Sequence, residues 1–229
     1  MLKIISWNIR QGGGTRINSI CNNLIKSDEA VIILSEYRNN ASGMKIRNSL
    51  LRAGYRYQNV TAAKADVNSA AIFSKIPCNQ ILYPNADEDF PHNILCSEFE
   101  AFKVYGMYLP HKKKHKLFEF ILNEINDEKP CILAGDFNTG KNYIDQKGNS
   151  FWYTDKIEAL EKKGYVDAFR HINGDVKEYS WYSHQGNGFR YDHTYVHSNL
   201  LPITTACYYI HEWRENKLSD HSPMVIELG

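Results

Sequence analysis

The chain of 229 residues is 43% hydrophobic and 23% charged, which is ordinary for a soluble globular protein and leaves ample apolar material for a core. The formal net charge of +1 does not discriminate between partners, because a nucleic-acid enzyme needs a local positive surface rather than a basic whole. The five cysteines are scattered, odd in number and without a Cys-x-x-Cys pair, which argues against a disulfide framework or a thiolate zinc site and favours reduced thiols.

Short strand-like apolar runs recur along the chain, and stretches with helical spacing lie between some of them. The predicted strands cover residues 4–7, 30–35, 69–74, 94–99, 102–108, 131–135, 191–196 and 224–228. Helices are predicted from apolar stripes over 17–25 and 117–125, from a weaker pattern over 42–51, and through 157–160 towards Gly164. Runs such as 31–34 are nearly all apolar, so the pattern predicts an α/β fold with two packed sheets flanked by helices.

The beginning of the chain shows no basic region followed by a long apolar stretch. No segment has the composition of a linker or a low-complexity tract, and no internal repeat is evident. We therefore expect one domain over residues 1–229, a cytoplasmic location without membrane association, and action as a monomer.

Polar residues lie at or near the ends of the predicted strands, where a rigid sheet can fix their geometry. They are Asn8, Glu36, Tyr108, Asp136, Asn138, Asp192, Asp220 and His221. Carboxylate and amide oxygens suit hard cations, so this set favours Mg²⁺, with Mn²⁺ as a second candidate.

Each of these features has an ordinary explanation when it is taken alone. Asn8 precedes three glycines and fits a loop, and Glu36 is an acid after an apolar strand. The sequence Gly-Asp-Phe-Asn at 135–138 fits a turn, and the His/Lys run at 111–116 fits a solvated face. Their combination, in this order, is what favours an active site.

Seven short motifs carry a family resemblance. They are Ser-Trp-Asn-Ile-Arg (6–10), Leu-Ser-Glu-Tyr (34–37), Ala-Ala-Ile-Phe-Ser-Lys (70–75), Tyr-Leu-Pro (108–110), Gly-Asp-Phe-Asn (135–138), Arg-Tyr-Asp-His (190–193) and Ser-Asp-His-Ser-Pro (219–223). Together they resemble the endonuclease/exonuclease/phosphatase superfamily over nearly the whole chain. Val-Asp-Ala-Phe-Arg-His at 166–171 and Tyr-Ser-Trp at 179–181 resemble the exonuclease III and abasic-site endonuclease branch. The resemblance implies a four-layered α/β sandwich of two mixed, mostly antiparallel sheets.

The resemblance also implies a metal site at one end of the sheets. Glu36 would be the main ligand, with Asn8 beside it and Asp220 contributing. A metal ion there would supply a Lewis acid for the charge that develops on a phosphodiester.

The remaining matched residues would carry out hydrolysis. The resemblance implies that Asp136 orients or deprotonates the attacking water and that Asn138 holds Asp136 or the phosphate. Tyr108 would contact the phosphate. His221 would donate to a non-bridging oxygen, with Asp192 orienting it, since an Asp–His pair keeps an imidazole charged and correctly turned.

Substrate contacts are expected from Arg190, Asn187, Trp181 and Lys112, with Trp181 contributing to an apolar wall for a sugar or base. Asn187 stands one residue closer to Gly-Phe-Arg than the matching asparagine of abasic-site enzymes. The complete site favours a DNA endonuclease or exonuclease. The near-neutral charge, and a short 139–155 segment with two basic residues, leave open a phosphatase or phosphodiesterase for a small phosphoester, such as an inositol phosphate or nucleotide. A non-catalytic binding module is the third alternative.

Overall fold

The computed structural model describes residues 1–123, 125 and 129–229. The strands, in chain order, are β1 (Leu2–Asn8), β2 (Val31–Tyr37), β3 (Tyr57–Val60), β4 (Ser69–Ser74), β5 (Asn79–Leu82), β6 (Ile94–Glu98), β7 (Lys103–Tyr108), β8 (Cys131–Asp136), β9 (Tyr165–Asp167), β10 (Trp181–Tyr182), β11 (Gly188–Phe189), β12 (Asp192–His197), β13 (Thr204–Tyr209) and β14 (Met224–Leu228). The α-helices are α1 (Ile17–Ser27), α2 (Ala41–Arg52), α3 (His115–Asn123), α4 (Thr154–Lys162), α5 (Ala168–Asn173) and α6 (His211–Glu215).

Two six-stranded sheets form the body of the molecule. The first has the strand order β13-β14-β1-β2-β4-β3, and the second has the order β5-β6-β7-β8-β12-β9. Within the sheets, the β1–β2 and β7–β8 pairs are parallel and the other pairs are antiparallel. Both sheets are therefore mixed and mostly antiparallel, as predicted.

Three apolar clusters fix the order of the layers. The middle cluster joins the two sheets and includes Ile33 and Ile72 from the first sheet with Val104 and Ala134 from the second. An outer cluster packs α1 and α2 on the first sheet, and another packs α3 and α4 on the second. The predicted four-layered α/β sandwich is confirmed.

The parallel pairs bring polar residues to one edge of the sandwich. The carboxyl end of β1 lies beside that of β2, and Tyr108 at the end of β7 pairs with Asp136 at the end of β8. A buried serine links the two sheets here: the Ser35 hydroxyl donates to the Met107 carbonyl at 2.9 Å, and the Asp136 N–H lies 3.2 Å from the same hydroxyl oxygen. Side chains from both sheets can therefore act on one substrate group.

Gly135 permits this close approach of β7 and β8. Its φ is 152°, and a Cβ atom at this position would lie 1.9 Å from the Met107 carbonyl oxygen. A side chain would force the strands apart directly before Asp136. The Gly-Asp sequence is thus a packing requirement as well as a chemical signature.

All eight predicted strands are present, as β1, β2, β4, β6, β7, β8, β12 and β14. The sequence did not predict β3, β5, β9, β10, β11 or β13, nor the short helices α5 and α6. The predicted helix at 117–125 corresponds to α3 as far as Asn123, and residue 124 lies outside the described residues. Across those described ranges, no helix combines the length and apolar character needed to cross a bilayer.

Candidate active site

The polar side chains at the ends of β1, β2 and β8 are in direct contact. Asn8 is fully buried, and its Nδ2 donates to Glu36 Oε1 at 3.1 Å and to Asp136 Oδ2 at 2.8 Å. Its Oδ1 accepts from the Arg10 N–H at 2.9 Å, which fixes the orientation of the amide. Three residues selected from the sequence by their strand-end positions therefore form one group.

Glu36 leaves regular strand geometry at the end of β2. The pairing of β2 with β4 shifts register around it, and its φ of 55° lies in the left-handed region. Such strain in a residue with a side chain persists only where its surroundings enforce it. Oε2 accepts from the Gln11 N–H at 2.8 Å and from Asn68 Nδ2 at 3.0 Å. Oε1 accepts from Asn8 and, having two lone-pair sites, can take a further ligand.

Asp136 is enclosed at the end of β8, with 1% of its surface exposed. Asn138 donates to both oxygens of this carboxylate: its backbone N–H donates to Oδ1 at 2.8 Å, and its Nδ2 donates to Oδ2 at 3.0 Å. Burial raises the pKa of Asp136 to about 7; the charge of His221 opposes the rise and that of Asp192 adds to it. A carboxylate with a pKa near neutrality is suited to accept a proton from water.

Asp192 and His221 form a buried pair next to Asp136. His221 Nδ1 lies 2.7 Å from Asp192 Oδ2, and the two residues are 6% and 1% exposed, respectively. Burial alone would disfavour the imidazolium, but the Asp192 carboxylate raises the pKa of His221 to about 10. The imidazole is therefore charged at neutral pH. Because Nδ1 faces Asp192, Nε2 is the nitrogen that can donate to a substrate.

Asp220 precedes His221 and is half-buried at the rim. Its Oδ2 accepts from Trp181 Nε1 at 3.3 Å and lies 3.8 Å from Arg10 Nε. Trp181 also forms a backbone bridge with His221, which ties the tryptophan to the site. Asp220 is thus linked to His221 through the chain and through Trp181.

Aromatic rings form a wall beside His221. The Phe189 and Tyr191 rings are stacked with centroids 5.4 Å apart, and the Trp181 ring lies 5.5 Å from that of Tyr191. The Tyr191 centroid is 6.5 Å from that of His221. The predicted position of Trp181 in an apolar wall agrees with this arrangement, while its contact with substrate stays a prediction.

Two sets of potential metal ligands lie in this region. Among the described residues, ligand atoms of Asp136, Asp192 and His221 lie within 4.8 Å of one another. A charged imidazole cannot bind a cation, however, and Asp192 Oδ2 is already paired with it. This set is therefore better suited to handling protons. Glu36, Asn8 and Asp220 offer oxygen donors, and the open lone pair on Glu36 Oε1 fits a hard divalent ion.

Tyr108 lies close to these carboxylates, at the end of β7. Burial and then the negative charges of Glu36 and Asp136 raise the pKa of its phenol, so the hydroxyl keeps its proton and can donate. Tyr108 borders a hollow of about 340 Å³ that Arg38 and Asn68 also line. It is placed to meet a substrate that enters beside Glu36.

Arg190 does not reach a substrate, contrary to the sequence prediction. It is fully buried, with Nε 2.7 Å from Asp145 Oδ1 and Nη2 2.5 Å from Asp167 Oδ2. Burial opposes ionisation of these carboxyls, but the guanidinium lowers the pKa of both. The guanidinium is needed to neutralise two buried charges, so its role is to join the 139–151 loop to β9 and β12.

Lys112 and Asn187, the other predicted substrate contacts, lie at the surface in separate places. Lys112 Nζ lies 5.3 Å from the centroid of the Trp152 ring. Asn187 lies in the turn between β10 and β11 and lines a shallow hollow with Gln146 and Lys147. The structure shows no hydrogen bond from either described side chain to the catalytic group, and their roles stay predictions.

Lys114 is a structural residue that the sequence did not distinguish from its neighbours. It is fully buried, and its Nζ donates to the carbonyls of Phe137 at 2.7 Å and Asn138 at 2.8 Å. Burial lowers its pKa to about 7. The side chain supports the loop after Asp136, whereas the lysine run at 111–116 suggested solvent or phosphate contacts throughout.

Asn68 was also missed. Its Nδ2 binds Glu36, and its Oδ1 accepts from Arg38 Nε at 2.7 Å. Its position directly before a predicted strand was a usable signal, but only together with the antiparallel pairing of that strand with β2.

Comparison with known proteins finds similarity in sequence and in fold. The Endonuclease/Exonuclease/phosphatase family matches residues 5–221. A DNA-(apurinic or apyrimidinic site) endonuclease from Dictyostelium discoideum is 25% identical over 87% of this chain, which spans 63% of that protein, less than two thirds of its length. An exodeoxyribonuclease from Bacillus subtilis is 26% identical over 87% of this chain and 89% of its own length.

A solved structure shares the fold over its whole length. The 3′ phosphatase NExo from Neisseria, bound to product DNA hairpin, superimposes with a TM-score of 0.86 at 20% identity and covers 100% of both chains.

Proposed function

Because the chain belongs to the endonuclease/exonuclease/phosphatase family, we propose that it is a divalent-metal-dependent phosphodiesterase that cleaves DNA as an endonuclease or exonuclease. One observation carries the proposal: a carboxyl group with a near-neutral pKa, Asp136, lies in one buried group with a charged imidazole, His221. Hydrolysis of a phosphodiester needs a proton acceptor for water and a cationic donor for the phosphate oxygens.

Glu36, Asn8 and Asp220 would hold the metal ion, with Mg²⁺ as the expected ion and Mn²⁺ as an alternative. The oxygen donors and the open site on Glu36 Oε1 support this assignment. The ion supplies a Lewis acid for the negative charge that grows on the phosphate. Asn8 has a second role, since its hydrogen bonds to Glu36 and Asp136 hold the two carboxylates next to each other.

Asp136 orients the attacking water and takes its proton. Asn8 and Asn138 donate to the carboxylate and fix its direction, and its pKa matches a base that works near neutral pH. Asn138 also donates to the Leu109 carbonyl at 2.9 Å, so its amide is held in place before substrate arrives.

His221 donates from Nε2 to a non-bridging phosphate oxygen. Asp192 keeps the ring charged and fixes its orientation through Nδ1. Tyr108, as a neutral phenol, adds a donor on the Glu36 side of the phosphate. The donors are fixed by packing before the reaction, which is the condition for strong electrostatic stabilisation of a transition state.

DNA is the proposed substrate because two relatives are named as DNA-cutting enzymes and a third was solved with a DNA hairpin. That third protein is named as a 3′ phosphatase, so removal of a phosphate group is the alternative activity for this site. A cytoplasmic location, one domain over the chain and action as a monomer stay predictions.

The test is cleavage of labelled abasic duplex DNA, undamaged single-stranded DNA and a small phosphomonoester, each with Mg²⁺ or with chelator. We expect metal-dependent cutting of at least one DNA by the unaltered protein and its loss in Glu36→Gln and His221→Gln. Glu119→Gln makes the same change as Glu36→Gln at an exposed position on α3 and should retain activity. Turnover of the monoester alone would contradict the nuclease proposal and support a phosphatase.

A further inference from the structure

A basic hollow lies beside the active site, on the Asp220 side. Its volume is about 320 Å³, and its lining residues are Arg10, Tyr182, Arg214, Lys217, Ser219 and Asp220. Three of these side chains are cations and one is an anion. The chain as a whole has a net charge of only +1, so this is a local concentration of positive charge. We call it the Arg10 hollow.

The two loops that form the Arg10 hollow are fixed to each other. Arg16 donates from Nη2 to the Arg10 carbonyl at 2.8 Å and from Nη1 to the Leu218 carbonyl. The Ser219 hydroxyl donates to the Asn8 carbonyl at 2.6 Å. The loop after β1 and the loop after α6 are therefore tied at several points, and Arg10 and Lys217, which they carry, line one hollow.

Tyr182 and Arg214 form one wall of the hollow. The Arg214 guanidinium carbon lies 4.6 Å from the centroid of the Tyr182 ring, and Nη1 donates to the Tyr179 carbonyl at 2.8 Å. Both contacts fix the guanidinium and leave other N–H groups to face a ligand. Tyr182 is 45% exposed, so part of its ring surface is open for stacking.

The Arg10 hollow adjoins the proposed active site and shares Asp220 with its metal ligands. Asp220 lines the hollow, lies 3.8 Å from Arg10 Nε and precedes His221. Arg10 lies two residues after Asn8, with a strained φ of 54°, and its N–H binds the Asn8 amide. An anion in the hollow would thus lie beside a phosphate to which His221 donates.

We propose that the Arg10 hollow binds the phosphodiester next to the scissile one in a nucleic-acid strand, with Tyr182 supporting the sugar or base between them. This inference rests on the proposed nuclease function. Arg10 is paired with Asp220, so Arg214 and Lys217 leave the hollow with a positive excess that favours a phosphodiester anion. The Tyr182 ring offers an apolar surface for a nucleoside. A small phosphomonoester has one phosphate and no group to fill this hollow, so the hollow selects a strand over a small substrate.

Lys217 is the residue with which to test the hollow. It is exposed and has a φ of 59°, a conformation that asparagine adopts readily, so Lys217→Asn removes the charge with little strain. We expect Lys217→Asn and Arg214→Gln each to raise KM for a single-stranded DNA oligonucleotide roughly fivefold and to reduce the salt dependence of log KM by about one unit. Lys217→Arg keeps the charge and should leave KM and its salt dependence at the values of the unaltered protein.

A modified substrate locates the contact. An uncharged methylphosphonate is placed at the linkage directly 5′ or directly 3′ of the scissile bond, one at a time. At one of the two positions, the methylphosphonate should raise KM of the unaltered enzyme by the same factor as Lys217→Asn raises it on the ordinary substrate. The same methylphosphonate should not raise KM of Lys217→Asn further, because both changes remove one interaction.

Lys26→Gln is the matched control, since it removes an exposed positive charge. Lys26 lies in the last turn of α1, shortly before β2 begins, whereas Glu36 lies near the end of β2. A KM and salt dependence for Lys217→Asn and Arg214→Gln equal to those of Lys26→Gln would overturn the Arg10 hollow while leaving the nuclease intact. Absence of strand cleavage by the unaltered enzyme with Mg²⁺ would overturn both proposals.

Discussion

At the scale of single residues, the charge on His221 depends on one buried carboxylate, Asp192. Its raised pKa means that the folded protein holds this proton more tightly than the unfolded chain does. The stability that the pair contributes is therefore complete below pH 6.5, the ordinary imidazole value, and is lost as the pH rises through about 10.

Asp192→Asn should lower the pKa of His221 and move the alkaline limb of the pH–kcat profile towards neutral pH. Near pH 6.5 it should also reduce the free energy of unfolding in urea by about 3–5 kcal/mol, since a buried charge loses its partner. That loss should shrink towards pH 10. Asp155→Asn, at a side chain that is 72% exposed, is the control, and an identical alkaline limb in the two variants would contradict the assignment.

At the scale of secondary-structure elements, the strands that the sequence predicted and those it missed occupy different places. Of the strands in the two six-stranded sheets, β3, β5, β9 and β13 were missed, and these are the four edge strands. An edge strand has one side open to solvent and needs fewer apolar residues: the pattern of β5 is largely exposed, whereas every residue of β4 and β8 is buried. Hydrophobic runs therefore identify the interior strands that carry most of the proposed catalytic residues.

The buried Arg190 shows how elements near the site are joined. Arg190→Met keeps the volume but leaves Asp145 and Asp167 buried without their partner. We expect the free energy of unfolding to fall by about 3–5 kcal/mol at neutral pH. The pKa of Asp167 is lowered in the folded protein, so the stability it provides is present above its ordinary pKa of 3.8 and is lost in acid.

The difference in the free energy of unfolding between Arg190→Met and the unaltered protein should therefore decrease as the pH falls below about 4, because the carboxyls become neutral. Urea unfolding measured from pH 7 to pH 3 tests this. Arg52→Met on the exposed end of α2 serves as the control and should change stability by less than about 0.5 kcal/mol. A loss for Arg190→Met that stays constant with pH would contradict the ion-pair account.

At the scale of the whole molecule, a metal ion bound between strand ends should stabilise both sheets together. If the proposed Mg²⁺ binds only the folded state, a concentration of about 100 times its Kd should add about 2.7 kcal/mol to the free energy of unfolding and raise Tm. Glu36→Gln should lose most of this shift, and Glu119→Gln should keep it. The measurement is thermal unfolding with increasing Mg²⁺, and an equal shift in both variants would contradict Glu36 as the main ligand.

Much of the fold and the centre of the candidate site could be predicted from the sequence. Asn8, Glu36 and Asp136 stand at the ends of strongly apolar strands, and neighbouring strand ends meet in space. The surrounding residues could not be found in this way. Lys114 faces inwards while Lys112 is exposed. The cations of the Arg10 hollow come from segments about 200 residues apart in the chain, so no local sequence pattern indicates their proximity.

The pairing of β1 with β14 has a consequence for biosynthesis. Asn8 is synthesised before Asp136 and Asp192, and His221 is synthesised after all three. A growing chain, or a fragment released by premature termination before residue 221, lacks the cationic donor and the strand that closes the first sheet. The proposed site is therefore complete only once residue 221 has been added, and shorter translation products lack its cationic donor.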